Sequence, residues 1–143
     1  MNLLDLLDRL VGLVARLGFP ESFIRFGIVG TLGFIWDTGT VYLLRLFVNL
    51  YIAGTCSFIV AATLNWVINR LWTFRHVEHE AAHVQWAKFI VANAVGFVLN
   101  RGTFFLLVAF CPLVVAHPVI GIAAGSAAGL MFNYFLSKEF VFR

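Results

Sequence analysis

The stretch LFVNLYIAGTCSFIVAATLNWVIN (residues 46–69) contains no charged residue. A transmembrane helix needs about 20 consecutive apolar residues, because it must cross roughly 30 Å of hydrocarbon. A second uncharged stretch covers residues 102–137, which is too long for one helix and is interrupted by Pro112 and Pro118. These stretches predict a chain that crosses a membrane several times.

Two further apolar runs, residues 26–44 and 89–110, contain one charged residue each. We therefore predict an all-α membrane protein with four transmembrane helices. They are placed at about residues 26–48, 52–72, 88–110 and 116–136.

The composition of the whole chain agrees with this fold class. Of its 143 residues, 62% are hydrophobic and 12% are charged, whereas soluble domains have about 25% charged residues. A soluble monomer could not cover its surface with so few charges. The composition therefore excludes a soluble enzyme, a disordered chain and a collagen-like fibre.

Lysine and arginine residues lie mainly on one side of the predicted helices. The other side has Arg45 alone, and the eight residues on the basic side are Arg9, Arg16, Arg25, Arg70, Arg75, Lys88, Lys138 and Arg143. Because cytoplasmic loops are enriched in basic residues, we predict a multi-pass protein of the cytoplasmic (inner) membrane with both termini in the cytoplasm. The net charge of +3 is interpreted as topology and not as a sign of nucleic-acid binding.

The N-terminal segment is predicted to be an amphipathic helix, with residues 1–18 as an interfacial element and residues 19–143 as the transmembrane domain. Acidic residues stand where a secretory signal would be basic. Its apolar face comprises Leu3, Leu6, Leu7, Leu10, Leu13, Val14 and Leu17, and its polar face comprises Asp5, Asp8, Arg9, Gly12 and Arg16. Such a helix is expected to lie flat at the inner membrane interface.

The two halves of the chain repeat each other. Three pairs are 63 positions apart: Arg25 and Lys88, Gly33 and Gly96, Asp37 and Asn100. Six further pairs are 68 positions apart: Asn65 and Asn133, Asn69 and Ser137, Arg70 and Lys138, Trp72 and Phe140, Phe74 and Phe142, Arg75 and Arg143. We therefore predict two tandem helical hairpins that form a parallel internal repeat.

Each hairpin has a stripe of small and polar residues at every fourth position of its second helix. The stripes are Ala53, Ser57, Ala61, Asn65 and Asn69 in one hairpin, and Gly121, Gly125, Gly129, Asn133 and Ser137 in the other. Small stripes favour close helix packing in membranes, within a chain or in an oligomer. The asparagines have two interpretations, namely interhelical hydrogen bonds or a path for a polar substrate.

Two charged residues lie near the middle of predicted helices, Asp37 in the first and Arg101 in the third. Because an isolated ion at this depth costs roughly 2.5–3.5 kcal/mol, we predict that they face inward and pair, with Asn100 beside them. The pair is either structural or part of a substrate or proton site.

Basic residues at the predicted inner interface are accompanied by aromatic ones. The candidate phosphate rim consists of Arg25, Arg75 and Lys88, together with the repeat-equivalent Arg70 and Lys138. Topology and an aromatic belt explain such a rim, and the alternative is an electrostatic site for a lipid phosphate.

Other polar residues give weaker signals. The histidines at 76, 79 and 83 fit a hydrated loop or a metal site, and we predict no metal. Cys56 and Cys111 would form a disulfide only in an oxidising compartment. No catalytic group and no cofactor motif occur, so we predict that the chain is not an enzyme.

Three segments resemble the GtrA-like family over about residues 25–143. The first runs from Arg25 to Gly30 and is followed by Asp37. The second runs from Asn65 to Phe74, and the third from Asn133 to Phe142. The resemblance implies a four-span protein of polysaccharide or glycolipid synthesis that moves polyprenyl-phosphate-linked sugars and works beside a membrane glycosyltransferase. Its functional positions would be Arg25, Asp37, Asn65, Asn69, Arg70, Asn133 and Lys138, whereas Arg101 lies outside the family pattern.

The leading hypothesis is translocation of a polyprenyl-phosphate sugar across the cytoplasmic membrane. Arg70 and Lys138 would bind the phosphate; Asn65, Asn69 and Asn133 would offer hydrogen bonds to the sugar; Asp37 and Arg101 would orient it. A homodimer is compatible with the glycine stripe. The alternatives are a scaffold that recruits the glycosyltransferase and, less consistent with the basic bias, a small cation exporter.

Overall fold

A computed structural model of the chain describes residues 3–142, apart from the side chains at positions 41, 50, 51, 54, 101, 104, 118, 119 and 122. Within the described residues every regular element is a helix, and no strand occurs. The chain divides into two units, Met1–Val77 and Glu78–Arg143. Each unit is built on its own pair of long helices.

The first unit contains four helical elements: α1 (Leu3–Ala15), α2 (Glu21–Leu44), α3 (Leu50–Ile68) and the π-helical turn π1 (Asn69–Thr73). Helix α2 packs along α3, and α1 packs on α2. The chain turns after α1 at Gly18, whose φ of +99° is a conformation that glycine adopts without strain. Asn49 caps α3, since its side-chain oxygen accepts a hydrogen bond from the Ile52 amide at 3.0 Å.

The second unit contains α4 (Ala82–Phe110), α5 (Pro112–Ala116), α6 (Pro118–Leu136) and the π-helical turn π2 (Ser137–Val141). Helix α4 packs along α6. A proline begins both α5 and α6, a position where its missing N–H costs nothing. The residues before them, Cys111 and His117, have non-helical backbone angles, because a proline disfavours helix at the preceding residue.

Four of these helices overlap the four predicted segments, but their bounds differ. The predicted helix at 26–48 is observed as Glu21–Leu44, and the one at 88–110 begins already at Ala82. The segment predicted at 52–72 is α helix only to Ile68 and then becomes π1. The apolar pattern marks the part of a helix that suits hydrocarbon, whereas backbone hydrogen bonds extend the helix into polar sequence at either end.

The outer surfaces of the long helices are apolar. Within the described residues, α2 and α4 are long and apolar enough to cross a membrane, and large side chains such as Phe34 are exposed. Exposed threonines bond within their own helix: the Thr40 hydroxyl donates to the Trp36 carbonyl at 2.7 Å, and the Thr63 hydroxyl to the Ile59 carbonyl at 2.7 Å. Such an exterior suits hydrocarbon, where a polar group must find its partner within the protein.

In each unit a glycine of the first long helix packs directly against an asparagine of the second. A Cβ atom added at Gly33 would fall within the side-chain amide of Asn65, and a Cβ atom added at Gly96 would fall within that of Asn133. The glycines are 63 positions apart and the asparagines 68. The same contact therefore occurs twice, at the offsets found in the sequence.

The glycine stripe of α6 continues this close approach in the second unit. A Cβ atom at Gly125 would lie 2.6 Å from the backbone oxygen of Asn100, and one at Gly129 would lie 3.1 Å from that of Gly96. The predicted role of these glycines in helix packing is confirmed. Gly125 and Gly129 face α4 of the same unit, and the predicted homodimer stays a prediction.

The two units also close one end of their helix pairs in the same way. The rings of Phe26 and Phe74 meet edge to face at 6.3 Å, and those of Phe89 and Phe142 at 5.9 Å. In each case the π turn places the second phenylalanine, whose amide donates to the carbonyl five residues earlier at 2.8 Å. The sequence motif that ends each half is therefore a π turn that holds an aromatic ring against the start of the neighbouring helix.

The glycine–asparagine contacts predict the effect of adding one methyl group. Gly33→Ala and Gly96→Ala should each lower the free energy of unfolding by about 1–3 kcal/mol, because the facing amide must move. The measurement is unfolding in mixed micelles, followed by circular dichroism.

Gly39→Ala and Gly102→Ala are the matched controls, since they lie on the same two helices and an added Cβ would contact nothing within 4 Å. They should leave stability unchanged or raise it slightly. Equal effects of all four substitutions would show that the close contacts do not contribute.

Candidate functional site

The carboxylate of Asp8 joins three segments of the first unit. Its Oδ1 accepts hydrogen bonds from Arg25 Nε at 3.1 Å and from Trp72 Nε1 at 2.9 Å. Its Oδ2 accepts one from Arg75 Nη2 at 3.1 Å. Arg25 also donates to Glu21 Oε2 at 2.8 Å. We call Asp8, Glu21, Arg25, Trp72 and Arg75 the Asp8 cluster; it ties α1 to α2 and to the end of π1.

A small apolar core lies beside the Asp8 cluster. Val11, Val29 and Trp72 are buried, and the partly buried residues around them are Leu7, Ile24, Ile28 and Ile68. The guanidinium of Arg25 lies over the Trp72 ring at 5.9 Å, a cation–π contact. Helix α1 is therefore docked through both apolar packing and charge.

The docking of α1 refines the amphipathic pattern predicted for this segment. Most of the predicted apolar face is exposed, including Leu3, Leu10 and Leu17, as expected for a helix that contacts lipid. Asp8 was assigned to the polar face, but its side chain is only 25% exposed and binds the protein. The pattern could not show this, because it separates polar from apolar residues without identifying partners.

The surroundings of Asp8 favour its charged form. Burial raises the pKa of Asp8, but hydrogen bonds from Trp72 and Arg75 and the charges of Arg25 and Arg75 together outweigh burial. The pKa of Asp8 is therefore lowered from its usual value of 3.8. The carboxylate is ionised at every physiological pH.

The corresponding end of the second unit is held by different groups. Gln85 is fully buried, and its Nε2 donates to the Val141 carbonyl at 3.0 Å. The same nitrogen lies 3.2 Å from Nδ1 of His79. Lys88 Nζ lies 2.7 Å from both carboxylate oxygens of Glu80. Here a buried amide joins α4 to π2.

The three predicted rim residues Arg25, Arg75 and Lys88 therefore all form ion pairs with carboxylates. Arg25 is the most buried of them, with 9% of its side chain exposed, compared with 38% for Arg75 and 42% for Lys88. Their role in phosphate binding stays a prediction. The structure adds that a phosphate there would compete with a carboxylate of the chain itself.

Arg70 and Lys138 occupy the same position in the two π turns. Each is the second residue of its turn, after Asn69 and Ser137 respectively. Arg70 is half-buried, with its guanidinium 5.7 Å from the centre of the Trp66 ring, and Lys138 is exposed. The two predicted phosphate-binding cations are thus placed alike within their own units.

Buried acceptor atoms lie beside these cations along the polar stripes. Among the described residues, five buried side-chain oxygens have no hydrogen-bond partner: Asn65 Oδ1, Asn69 Oδ1, Thr73 Oγ1, Asn133 Oδ1 and Ser137 Oγ. An unpaired buried oxygen costs about 1–3 kcal/mol. For these oxygens, the predicted interhelical hydrogen bonds are not made.

The structure places one of the two charged side chains that were predicted to lie within the membrane. Asp37 lies in α2 and is half-buried, whereas Arg101 lies in α4 with a side chain outside the described residues. Their predicted pairing therefore stays untested. Asn100, expected beside them, packs against Gly125 of α6.

The sequence did not identify the side chains that bind the rim cations and π2, namely Asp8 and Glu21 in the first unit and Gln85 in the second. The signal for Asp8 and Glu21 was the presence of acidic residues in a rim that is otherwise basic. Gln85 had no signal, because nothing in a single sequence shows that an amide is fully buried. Among the described residues, no group of three or more His, Cys, Asp or Glu side chains could hold a metal ion; both cysteines are free thiols.

Comparison with known proteins identifies the family. The chain is an all-helical membrane protein, and residues 25–142 match the family model described as GtrA/DPMS, transmembrane domain. The chain belongs to this family, which associates it with glycolipid and polysaccharide synthesis. A comparison with curated proteins gave no match.

The Asp8 cluster predicts that Asp8→Asn will loosen α1. The substitution removes the charge that Arg25 and Arg75 share, and a hydrogen bond to a charged group contributes about 1.5–3 kcal/mol. Amide hydrogen exchange of residues 3–15 should therefore become at least tenfold faster. Glu139→Gln, which changes an exposed carboxylate in π2, is the control. Unchanged exchange in the Asp8 variant would show that apolar packing alone holds α1.

The lowered pKa of Asp8 also predicts a pH dependence with a definite sign. Stabilisation by a carboxylate with a lowered pKa is complete above its usual pKa of 3.8 and is lost as the pH falls through the lower pKa of the folded state. Exchange in α1, corrected for its intrinsic pH dependence, should be constant from about pH 8 to pH 5 and accelerate only below 3.8. Loosening near pH 6 would instead point to a histidine.

Proposed function

We propose that this protein moves a polyprenyl-phosphate-linked sugar across the cytoplasmic membrane during cell-surface polysaccharide or glycolipid synthesis. Membership of the GtrA/DPMS family supports the biosynthetic context. The observation that carries the finer proposal is the duplicated π turn, in which a cation directly follows a buried oxygen without a hydrogen-bond partner.

The proposed topology has four spans, α2, α3, α4 and α6, with both termini in the cytoplasm. The shortest of them, α3 and α6, have 19 residues each, and a helix rises about 1.5 Å per residue, so they extend for about 28 Å, close to the hydrocarbon thickness. The Phe26–Phe74 and Phe89–Phe142 contacts bring the basic ends of each helix pair together. Basic residues gathered at one end support a cytoplasmic side.

Arg70 and Lys138, each at the basic end of its own helix pair, are the cations proposed to bind phosphate. A guanidinium binds phosphate oxygens in a bidentate manner, and an ammonium acts as a point charge. The oxygens of Asn69 and Ser137, each one residue earlier, lack hydrogen-bond partners among the described residues and are suited to accept from sugar hydroxyls. Asn65 and Asn133 continue the same stripes, while the prenyl chain remains in lipid.

Asp37 and Arg101 are proposed to orient the polar head group deeper in the membrane. Both lie within long helices, where a charge is costly and therefore a candidate for function. We propose no catalytic role for the chain. The sugar lipid would be made by a membrane glycosyltransferase working beside it, in one copy or in a homodimer.

A second candidate function is a scaffold that recruits this glycosyltransferase without transport. The exposed apolar side chains of α1 favour it, since α1 is fixed to the first unit by the Asp8 cluster and could present Leu10 and Leu17 to a partner. The deletion of residues 1–17 is a poor test, because it would also uncover Val29 and Trp72.

Translocation is tested in liposomes that contain the purified chain and a labelled polyprenyl-phosphate hexose. Exposure of the label to an outside probe should be faster than in protein-free vesicles. Arg70→Ala combined with Lys138→Ala should slow it at least tenfold, because the phosphate loses both cations. Asp37→Asn should slow it as well.

Arg45→Ala is the matched control, since it removes a cation from the other end of α2, where Arg45 lies over the Tyr42 ring at 4.6 Å. It should leave the rate unchanged. Equal rates in the Arg70/Lys138 double variant and the wild type would refute the phosphate site. Crossing no faster than in empty vesicles, with a set of hexoses tested, would favour the scaffold.

A further inference from the structure

An apolar groove lies on the surface of the second unit. It has a volume of about 480 Å³ and is lined by Ala87, Lys88, Val91, Ala92, Val95, Leu136 and Phe140. All of these residues belong to α4, α6 and π2, and Lys88 is the only charged one among them. Phe140 is 61% exposed and Val91 is 64% exposed.

The walls of this groove correspond to the site where α1 docks in the first unit. Moving back 63 positions, Ala87, Lys88, Val91 and Ala92 become Ile24, Arg25, Ile28 and Val29. Moving back 68 positions, Leu136 and Phe140 become Ile68 and Trp72. These are the residues that surround Val11 or bind Asp8. The groove is therefore the second copy of a helix-docking site.

We infer that the groove binds an amphipathic helix of a partner protein, lying at the same membrane surface and carrying one acidic residue. In the first unit the equivalent residues bury a side chain of a docked helix: Val11 of α1 packs against Val29 and Trp72 and is only 1% exposed. Trp72 is 5% exposed beneath α1, whereas the corresponding Phe140 is not covered. Alanines replace Ile24 and Val29, so the groove admits larger side chains than Leu7 and Val11.

Charge also favours a helix with a carboxylate. Arg25 binds Asp8 of the docked helix, and Lys88 at the equivalent position binds a carboxylate of its own loop, Glu80, at 2.7 Å. Glu80 is 40% exposed, so an incoming carboxylate can replace it on Lys88. A purely hydrocarbon chain would fill the apolar walls but would offer no carboxylate to Lys88.

The groove is tested with a photoreactive side chain introduced at Val91 of the full chain in lipid nanodiscs. The probe is a labelled peptide with the sequence of residues 1–18. Covalent labelling of the protein by this peptide supports the inference, provided that a photoreactive side chain at Val98, exposed elsewhere on α4, gives none. A photoreactive side chain at Phe140 is the second reporter, in case the change at Val91 harms folding.

Three variants sharpen the test. Ala87→Trp should block labelling by filling the groove. Lys88→Gln, or Asp8→Asn in the peptide, should weaken binding about tenfold, as expected for the loss of one charge-assisted hydrogen bond. Phe140→Trp should strengthen binding about tenfold, because it supplies the indole N–H that Trp72 donates to Asp8 in the first unit.

The inference does not depend on the proposed transport, and the cross-linking experiment can refute it without any measurement of transport. Cross-links from both reporters only to lipid would assign the groove to an acyl or prenyl chain and overturn the inference. In nanodiscs without the peptide, cross-links between two full copies of the chain would make it a self-association surface, which also overturns the inference. The liposome assay measures transport separately, so either cross-linking result leaves the transport proposal standing.

Discussion

The close contact between a glycine and an asparagine is the constraint on which each unit depends. Apolar helices in lipid gain little from burying further apolar surface, so they associate through tight packing where small residues allow it. Gly33 and Gly96 provide the space, and Asn65 and Asn133 fill it. At one end of each helix pair a second repeated contact occurs, between Phe26 and Phe74 and between Phe89 and Phe142.

The two units use this common frame differently. In the first, α1 covers the apolar site beside Trp72, and the Asp8 carboxylate binds the cations around it. In the second, the cation Lys88 binds its own loop, and a buried glutamine replaces the ionic cluster as the link to π2. A neutral amide can be fully buried when its donors are satisfied, whereas a carboxylate requires compensating charge. This explains why the ionic link is the more exposed one.

The sequence predicted the long helices and the internal repeat, because long apolar stretches and fixed residue offsets are visible in a single chain. Uncharged stretches located the long helices, and the offsets of 63 and 68 positions aligned Gly33 with Gly96 and Asn65 with Asn133. Helix ends were less accurate, because the apolar pattern does not distinguish an α helix from a π turn such as Asn69–Thr73. The partners of Asp8 could not be found, since Trp72 and Arg75 are distant in sequence and meet only after α1 docks.

The charges at the basic end of each helix pair bear on where an anionic lipid could bind. Each ion pair described there uses Arg25, Arg75 or Lys88, with Asp8, Glu21 or Glu80 as its partner. Because the pKa of Asp8 is lowered, acidification within the physiological range would not release its cations. A phosphate at Arg25 or Arg75 would have to displace the Asp8 carboxylate and undock α1, which costs the packing of Val11 as well. A phosphate at Lys88 would have to displace Glu80. The duplicated cations Arg70 and Lys138 are not members of these clusters. Binding at the π turns would leave the ion pairs of Asp8 and Glu80 in place, and this physical difference favours the π turns over the remainder of the rim.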